Sequence, residues 1–289
     1  MTRKAKWPWA AEPRVWVGGS ILLIIILVAL FARWLAPHDP GEQDLLNILV
    51  PPMWEPGGSA DFPLGTDNLG RDVLSRLIYG TRVAMIVATV APLGAALIGT
   101  VLALIGGYFG GWISTLIARA IDIWMSVPPV VLALIFMVGF GAGLRNVILA
   151  IIIINWTRFC RVLRGEVMVL MKRDYVAAAK ITGLKPYQII WRDILPGVMP
   201  TLMVLFSVEM GIAVVVEAVM SFIGLSVEPD VTTWGVMVAD GLSAMFSAPT
   251  ALIFPMSAII LMVLGTTLLG DGLRRSTDPR LFERDEVTA

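Results

Sequence analysis

Two glutamates lie within an otherwise apolar stretch of the chain, and they are the first candidates for chemistry. Glu209 and Glu217 fall inside residues 199–223, and Met210 follows the first of them. A charged side chain at the centre of a bilayer costs about 2.5–3.5 kcal/mol even on lenient insertion scales, so each must face protein or water. On a helix the two lie about 80° apart, which allows both to face one interior side. We therefore predict that Glu209, Met210 and Glu217 line a solute pathway. The alternatives are a polar contact between helices or a protonated carboxyl.

A second polar pair falls in another apolar stretch, residues 113–138. Arg119 and Asp122 are three residues apart, a spacing that permits an ion pair on one helix face. We predict a structural ion pair here rather than a part in gating. Pro128 and Pro129 should then bend or interrupt the same helix, either for packing or to free carbonyl groups that line a cavity.

The residues that other chemistries require are few in this sequence. It has one histidine, His38, and one cysteine, Cys160, which are too few for a multi-histidine metal site or an intrachain disulfide. No G-x-x-x-x-G-K-[ST] loop is present to hold phosphates. Ser221 and Ser226 have no histidine within the apolar stretches to act as a base. We predict that this chain binds no metal or cofactor and catalyses no reaction.

Composition places these residues in a membrane protein. Of 289 residues, 57% are hydrophobic and 15% charged, with a mean hydropathy of +0.81 and a formal net charge of zero. The balanced charge argues against a nucleic-acid-binding surface. A span needs about 20 apolar residues, so we predict an all-α, polytopic bundle of about six transmembrane helices. The expected spans are residues 15–35, 83–105, 113–138, 144–160, 199–223 and 249–270.

The distribution of charge predicts the orientation. Sixteen of the 22 basic residues precede the first span, lie at the end of span four or between spans four and five, or follow the last span. The positive-inside rule therefore predicts cytoplasmic tails, 1–14 and 282–289, and a cytoplasmic segment 161–196. The acidic segment 36–82 should face the periplasm. The first span is longer than a signal-peptide core and has no small-x-small cleavage site, so we interpret it as a retained anchor.

The periplasmic segment changes character along its length. It is rich in Pro and Gly up to Asp67, and NLGRDVLSRLIYG then predicts a short amphipathic helix with Leu69, Val73, Leu77 and Ile78 on one face. We expect this helix to lie at the outer interface, where it either caps the bundle or guides solute.

The cytoplasmic segment is helical in pattern but too polar to span. A helix is expected from an N-cap at Asp174 to a stop at Gly183, and a second from Pro186 to a break at Pro196. Small alanines on such a protrusion let another backbone approach closely. It is either a docking element for a cytoplasmic partner or a solvated elbow.

This segment, DYVAAAKITGLKPYQIIWRDILP, resembles the EAA loop of the permease subunits of ATP-binding-cassette importers. The likeness extends over residues 15–281. It is closest to the C-type permeases of the dipeptide/oligopeptide/nickel branch, and four further stretches carry it: DFPLGTDNLGRDVLSRLIYGTRVAM, GGYFGGWISTLIARAIDIWMSVPPV, EAVMSFIGLSVEPDVTTWGVMVADG and LGDGLRRSTDPR.

The resemblance implies that the loop couples this chain to an ATPase. Its coupling residues here are Tyr175, Ala177, Ala178, Ala179, Gly183, Leu195 and Pro196. Three positions depart from the family pattern: Ala177 replaces the usual Glu, Asp193 a common His, and Gly197 a common Asn.

The resemblance also implies an assembly in the bacterial cytoplasmic membrane. The expected partners are a second homologous permease, two ATPases that bind ATP and magnesium, a periplasmic or lipid-anchored solute-binding protein, and membrane lipid; nucleic acid is not among them. Small peptides are the implied solute, with nickel or another small solute as the alternative. A less favoured alternative is an ion-coupled secondary transporter that uses Glu209 and Glu217.

Overall fold

The computed structural model describes residues 12–227 and 231–277, so most of the predicted tails lie outside the described residues. Within them all regular structure is helical, the segment 36–72 is irregular, and there is one isolated bridge between Thr66 and Asp72 and no strand. In chain order the helices are α1 (Pro13–Leu30), α2 (Ala32–Leu35), α3 (Val73–Phe109), α4 (Gly111–Met125), α5 (Pro129–Phe140), α6 (Leu144–Leu170), α7 (Asp174–Ile181), α8 (Pro186–Ile189), α9 (Leu195–Phe222), α10 (Trp234–Ser243) and α11 (Thr250–Thr277).

The predicted number of spans is confirmed. Among the described residues, α1, α3, α6, α9 with the turns before it, and α11 are long and apolar enough to cross a bilayer. Helices α4 and α5 make a sixth span if they are counted together, with a bend of 84° between them. The break falls just before Pro129, as the proline pair predicted, because Pro128 cannot continue the hydrogen bonding of α4.

The separate amphipathic helix predicted at the outer interface is wrong. Residues 73–82 are instead the first turns of α3, which continues unbroken for 37 residues. Asp72 starts it by accepting the backbone N–H groups of Leu74 and Ser75. Val73 and Ile78 are buried. Gly80 lies inside the helix, and the Trp234 indole fills the space beside it.

The helix break predicted at Pro196 is also wrong. A π-helical turn, Ile190–Ile194, joins α8 to α9, and the Leu195 N–H bonds to the Ile190 carbonyl. Pro196 therefore stands in the first turn of α9 and does not end the helical run. The result is a continuous rod from Pro186 to Phe222.

Glycines let the spans approach closely. A Cβ on Gly99 of α3 would lie 2.5 Å from the Phe159 Cβ of α6, and one on Gly18 of α1 would lie 2.5 Å from the Leu269 nitrogen of α11. Gly272 packs on Val15, so the start of α1 and the end of α11 share one end of the bundle. We call this the α7 end. The opposite end, where the segment 36–72 meets α10, is the α10 end.

Candidate functional site

The predicted cytoplasmic helix pair lies at the α7 end, residues 174–194, which we call the elbow. Its inner side is apolar: Val176, Ile189 and Ile194 are fully buried in one cluster with Phe159 and Leu163 of α6. Burial of these side chains holds the elbow on the ends of the spans.

The outer side of the elbow is exposed and largely apolar. Ile181 is 86% exposed, and Tyr175 and Tyr187 are about half exposed. Ala177 and Ala178 lie between them on the surface. A patch of exposed aliphatic and aromatic side chains with small residues among them is typical of a surface that another protein covers.

Local hydrogen bonds shape the elbow much as the sequence predicted. Helix α7 ends at Ile181, and Gly183 reverses the chain with a left-handed φ of 77°, while the Leu184 N–H bonds to the Ala179 carbonyl at 3.2 Å. The N-cap predicted at Asp174 is wrong. Arg173 occupies the cap position, and Asp174 lies in the first turn, where its charge favours the helix N-terminus.

The predicted coupling residues divide into two groups. Tyr175, Ala177, Ala178 and Gly183 are exposed on the elbow. The other three contribute to its base: Ala179 and Leu195 pack on the buried cluster, and Pro196 lies in the first turn of α9. The structure thus brings the set into one element, and its role in coupling stays a prediction.

Glu209 joins two spans. It is 3% exposed, and its carboxylate accepts hydrogen bonds from the Asn155 Nδ2 at 2.9 Å and the Arg158 Nη1 at 3.2 Å, both on α6. Met210, beside it, packs in another cluster with Val214. These contacts are the ones expected from the alternative prediction, in which Glu209 makes a polar contact between helices instead of lining a pathway.

Glu217 is more deeply buried, at 1% exposure. Its Oε1 accepts hydrogen bonds from the hydroxyls of Ser221 and Ser226, and the Ser226 carbonyl accepts the Gly143 N–H at 2.8 Å. It therefore links α9 to the chain that follows it and to the connection between α5 and α6. Pathway lining by Glu209, Met210 and Glu217 stays a prediction.

The ion pair predicted between Arg119 and Asp122 is not the one that forms. Asp122 instead pairs with Arg161 of α6, Oδ1 to Nη2, at 2.9 Å. A partner on a neighbouring helix can compete with one three residues away, because a long arginine side chain reaches across the packed helices. The pair joins α4 to α6, and both of its side chains are substantially exposed.

A buried charge cluster at the α10 end was not predicted. Asp67, Arg71, Arg76 and Asp240 form it. The Asp240 Oδ2 lies 2.7 Å from the Arg71 Nη2 and 3.0 Å from the Arg76 Nη1, and the Asp67 Oδ2 contacts both arginines. Arg76, a charged residue in the largely apolar sequence of α3, was the one signal that a buried ion pair forms here. Its partner Asp240 lies 164 residues away, so the pairing itself could not be predicted.

The segment 36–72 is also tied by local hydrogen bonds. The carboxylate of Asp44 accepts the Asn47 Nδ2 at 2.7 Å and the Leu46 N–H at 3.0 Å. The hydrogen bond from the Asn47 side chain, followed by that from the Leu46 backbone, lowers the pKa of Asp44, because both stabilise the ionised form.

Comparison with known proteins gives consistent matches over most of the chain. Residues 95–283 match the family of binding-protein-dependent transport system inner membrane components, and residues 10–52 match the N-terminal transmembrane domain of oligopeptide transport permease C. A glutathione transport system permease protein of Pectobacterium atrosepticum is 36% identical over 91% of this chain and 86% of its own length. A di/tripeptide transport system permease protein of Pseudomonas aeruginosa is 36% identical over 96% and 92%. A dipeptide transport system permease protein of Haemophilus influenzae is 34% identical over 92% and 90%.

Proposed function

Because the chain belongs to the family of inner membrane components of binding-protein-dependent transport systems, and is a multi-pass permease of the bacterial inner membrane, we propose that it imports short peptides using ATP hydrolysed by separate subunits. Short peptides are proposed because the matched relatives are named for dipeptides, di- and tripeptides, and glutathione.

The observation that carries the ATP-driven mechanism is the elbow. Its buried inner side makes it move with the bundle, and its exposed apolar side offers a surface to a partner. The rod from Pro186 to Phe222 runs from the elbow through the bilayer without a break. A displacement imposed on the elbow by two ATPases would therefore reach the span that carries Glu209 and Glu217.

Charge at the α7 end supports a cytoplasmic position for the elbow. Lys172, Arg173, Lys180 and Lys185 are exposed on or beside it. Basic loops are retained on the cytoplasmic side of a bacterial membrane, which is where ATP is available. In this orientation the α10 end faces the periplasm, where a solute-binding protein would deliver peptide to this chain and a second permease.

The composition of the native complex tests this proposal. We expect two ATPases and a second permease to copurify with the tagged chain after gentle extraction from its native membrane. Ile181→Asp places a charge at the centre of the exposed apolar patch, so it should release the ATPases while the second permease stays bound. Leu46→Asp is the matched control, because Leu46 is 96% exposed but lies in the segment 36–72.

Two results would overturn the proposal. One is a wild-type chain that purifies alone or as a homo-oligomer. The other is peptide uptake in proteoliposomes that persists after the ATPases are inactivated, which would favour an ion-coupled transporter. Release of the ATPases by Leu46→Asp as strongly as by Ile181→Asp would show that the elbow is not their specific docking surface.

A further inference from the structure

An apolar groove lies between α3 and the π-helical turn that carries the elbow. It has a volume of about 430 Å³. Along α3 it extends from Leu93 to Ile105, and its other lining residues belong to the π turn and α9, among them Trp191 and Leu202. Among the described residues that line it, Thr100 has the one polar side chain, and its hydroxyl oxygen is buried. The groove therefore offers hydrocarbon contacts alone.

A second apolar groove adjoins the first. It has a volume of about 420 Å³ and shares Leu93, Ala96 and Leu202 with its neighbour. Its further lining residues include Met199 near the start of α9 and Leu273 near the end of α11. Both of those helix ends lie at the α7 end, so the two grooves are side by side in the same half of the bundle.

The position of the grooves along α3 places them against the membrane. The charged residues of α3, Arg76 and Arg82, both lie near its start, and residues 83–109 contain none. A span needs roughly 17 residues or more, and any such stretch of this charge-free part includes residues 93–99. The first groove therefore begins at membrane depth wherever the span is placed within it.

The length of the first groove matches one leaflet. The rise from Leu93 to Ile105 is about 18 Å on an α-helix, and half of the hydrocarbon core is about 15 Å thick. Near the elbow, Trp191 is 69% exposed, and exposed tryptophan is typical of the membrane–water interface. A transmembrane helix of a partner would need a groove across the whole core, whereas an acyl chain needs one of this length.

Basic side chains lie at the α7 end of the first groove. Tyr108 follows the groove residue Leu104 by one turn on the same face of α3, and the Lys180 ammonium lies 5.7 Å from the centroid of its ring. Arg192, in the π turn that lines the groove, is exposed. The segment 172–194 carries five basic residues against two acids. Basic side chains beside an apolar groove favour an anionic lipid headgroup.

We propose that the two grooves bind one anionic phospholipid from the leaflet on the α7 side. Its two acyl chains lie in the adjoining grooves, and its phosphate accepts hydrogen bonds from Lys180 and Arg192. The bound lipid joins α3 to the π turn and so supports the base of the elbow. This inference goes beyond the proposed function, because it depends neither on the solute nor on ATP.

Photo-crosslinking tests the site. The complex, with whatever subunits are extracted with it, is reconstituted in phosphatidylcholine that contains a trace of phosphatidylglycerol with a diazirine in one acyl chain. Adducts are mapped by mass spectrometry and expressed as the ratio of those on residues 93–105 to those on α1, where the exposed Leu23 and Leu27 report ordinary lipid contact. We expect this ratio to be at least about 5-fold lower when the diazirine is carried by phosphatidylcholine.

Charge variants test the headgroup contacts. Lys180→Gln and Arg192→Gln should each lower the phosphatidylglycerol ratio by about 5-fold, the effect of one basic side chain near the membrane surface. Lys180→Arg keeps the charge and should keep the ratio. Arg145→Gln is the matched control: it removes the same charge from an exposed side chain at the start of α6, at the α10 end, and should leave the ratio unchanged.

Two outcomes would overturn the site. Adducts on α1 but none on residues 93–105 with either lipid would show that another protein, such as a second permease, covers the grooves. Equal ratios for the two lipids, unchanged in Lys180→Gln and Arg192→Gln, would reduce the grooves to ordinary lipid contact. Either result leaves copurification of the ATPases and ATP-dependent peptide uptake as separate tests of the proposed function.

Discussion

The two ends of the bundle are held together by different forces. At the α10 end, the arginines and aspartates of the charge cluster join the segment 36–72, α3 and α10, and the Trp234 Nε1 donates to the Leu77 carbonyl at 3.0 Å. At the α7 end, the elbow rests on apolar side chains, with the Lys180 ammonium 5.7 Å from the Tyr108 ring. Hydrogen-bonded charges fix one geometry, whereas apolar contacts tolerate small displacements.

This difference matches the tasks that we propose for the two ends. Helix α10 also packs closely against α11: a Cβ on Gly241 would lie 2.8 Å from the Ala251 carbonyl oxygen of α11. An end built in this way keeps its shape while solute is delivered. The elbow presents an exposed surface on a deformable base, which suits an element that a partner displaces.

The largest expected effect comes from breaking the charge cluster. Arg76 is 3% exposed at its side chain and contacts both Asp67 and Asp240. Arg76→Ala leaves a buried negative charge uncompensated, so it should lower the free energy of unfolding by about 3–5 kcal/mol. The buried Cys160 provides the measurement, because it becomes reactive to a thiol-specific dye only when the bundle opens on heating.

A double variant separates charge from packing at this cluster. Arg76→Gln with Asp240→Asn leaves Asp67 paired with Arg71 at 2.7 Å and restores neutrality. It should be more stable than Arg76→Gln alone. If the two are equally unstable, the loss comes from packing of the Arg76 stem, and the electrostatic contrast between the two ends is wrong.

The sequence predicted what depends on local pattern. Hydropathy predicted the six spans, Gly183 predicted the chain reversal in the elbow, and the pair Pro128 and Pro129 predicted the bend between α4 and α5. Each of these follows from the chemistry of adjacent residues. The start of α3 was missed although the N-cap Asp72 is a local signal, and the extent of α9 was missed because the π turn before Pro196 leaves no pattern in the sequence.

Pairings between distant residues could not be predicted in the same way. Nothing local to Asp122 favours Arg161, 39 residues away, over Arg119, three residues away. Glu209 was identified as requiring a partner, but its partners Asn155 and Arg158 follow from the packing of α6 on α9. A single sequence indicates that a buried charge must be satisfied and leaves the partner open.

A moderate effect is expected from stiffening the turn of the elbow. Gly183 has a φ of 77° and open space where a Cβ would stand, so Gly183→Ala tests backbone conformation alone. It should destabilise by about 1–2 kcal/mol, the cost of a left-handed conformation for a residue with a Cβ. Gly165→Ala is the control: it also has open space but lies inside α6, where alanine should stabilise by about 0.5–1 kcal/mol. Equal thiol-exposure temperatures in the two variants would contradict a role for the turn geometry.

The smallest expected effect comes from removing one methylene from the base of the elbow. Ile189 is fully buried in the cluster that carries the elbow, and Ile189→Val should cost about 0.5–1.5 kcal/mol. Ile181→Val removes the same group from a side chain that is 86% exposed, so stability should change by less than about 0.5 kcal/mol.

The same two variants should also affect transport differently in the complete complex, because the base transmits displacement to the rod and the outer side only contacts the partner. Ile189→Val should lower the peptide imported per ATP hydrolysed, and Ile181→Val should weaken ATPase retention without changing that ratio. The reverse pattern would show that the outer surface, rather than the apolar base, limits coupling.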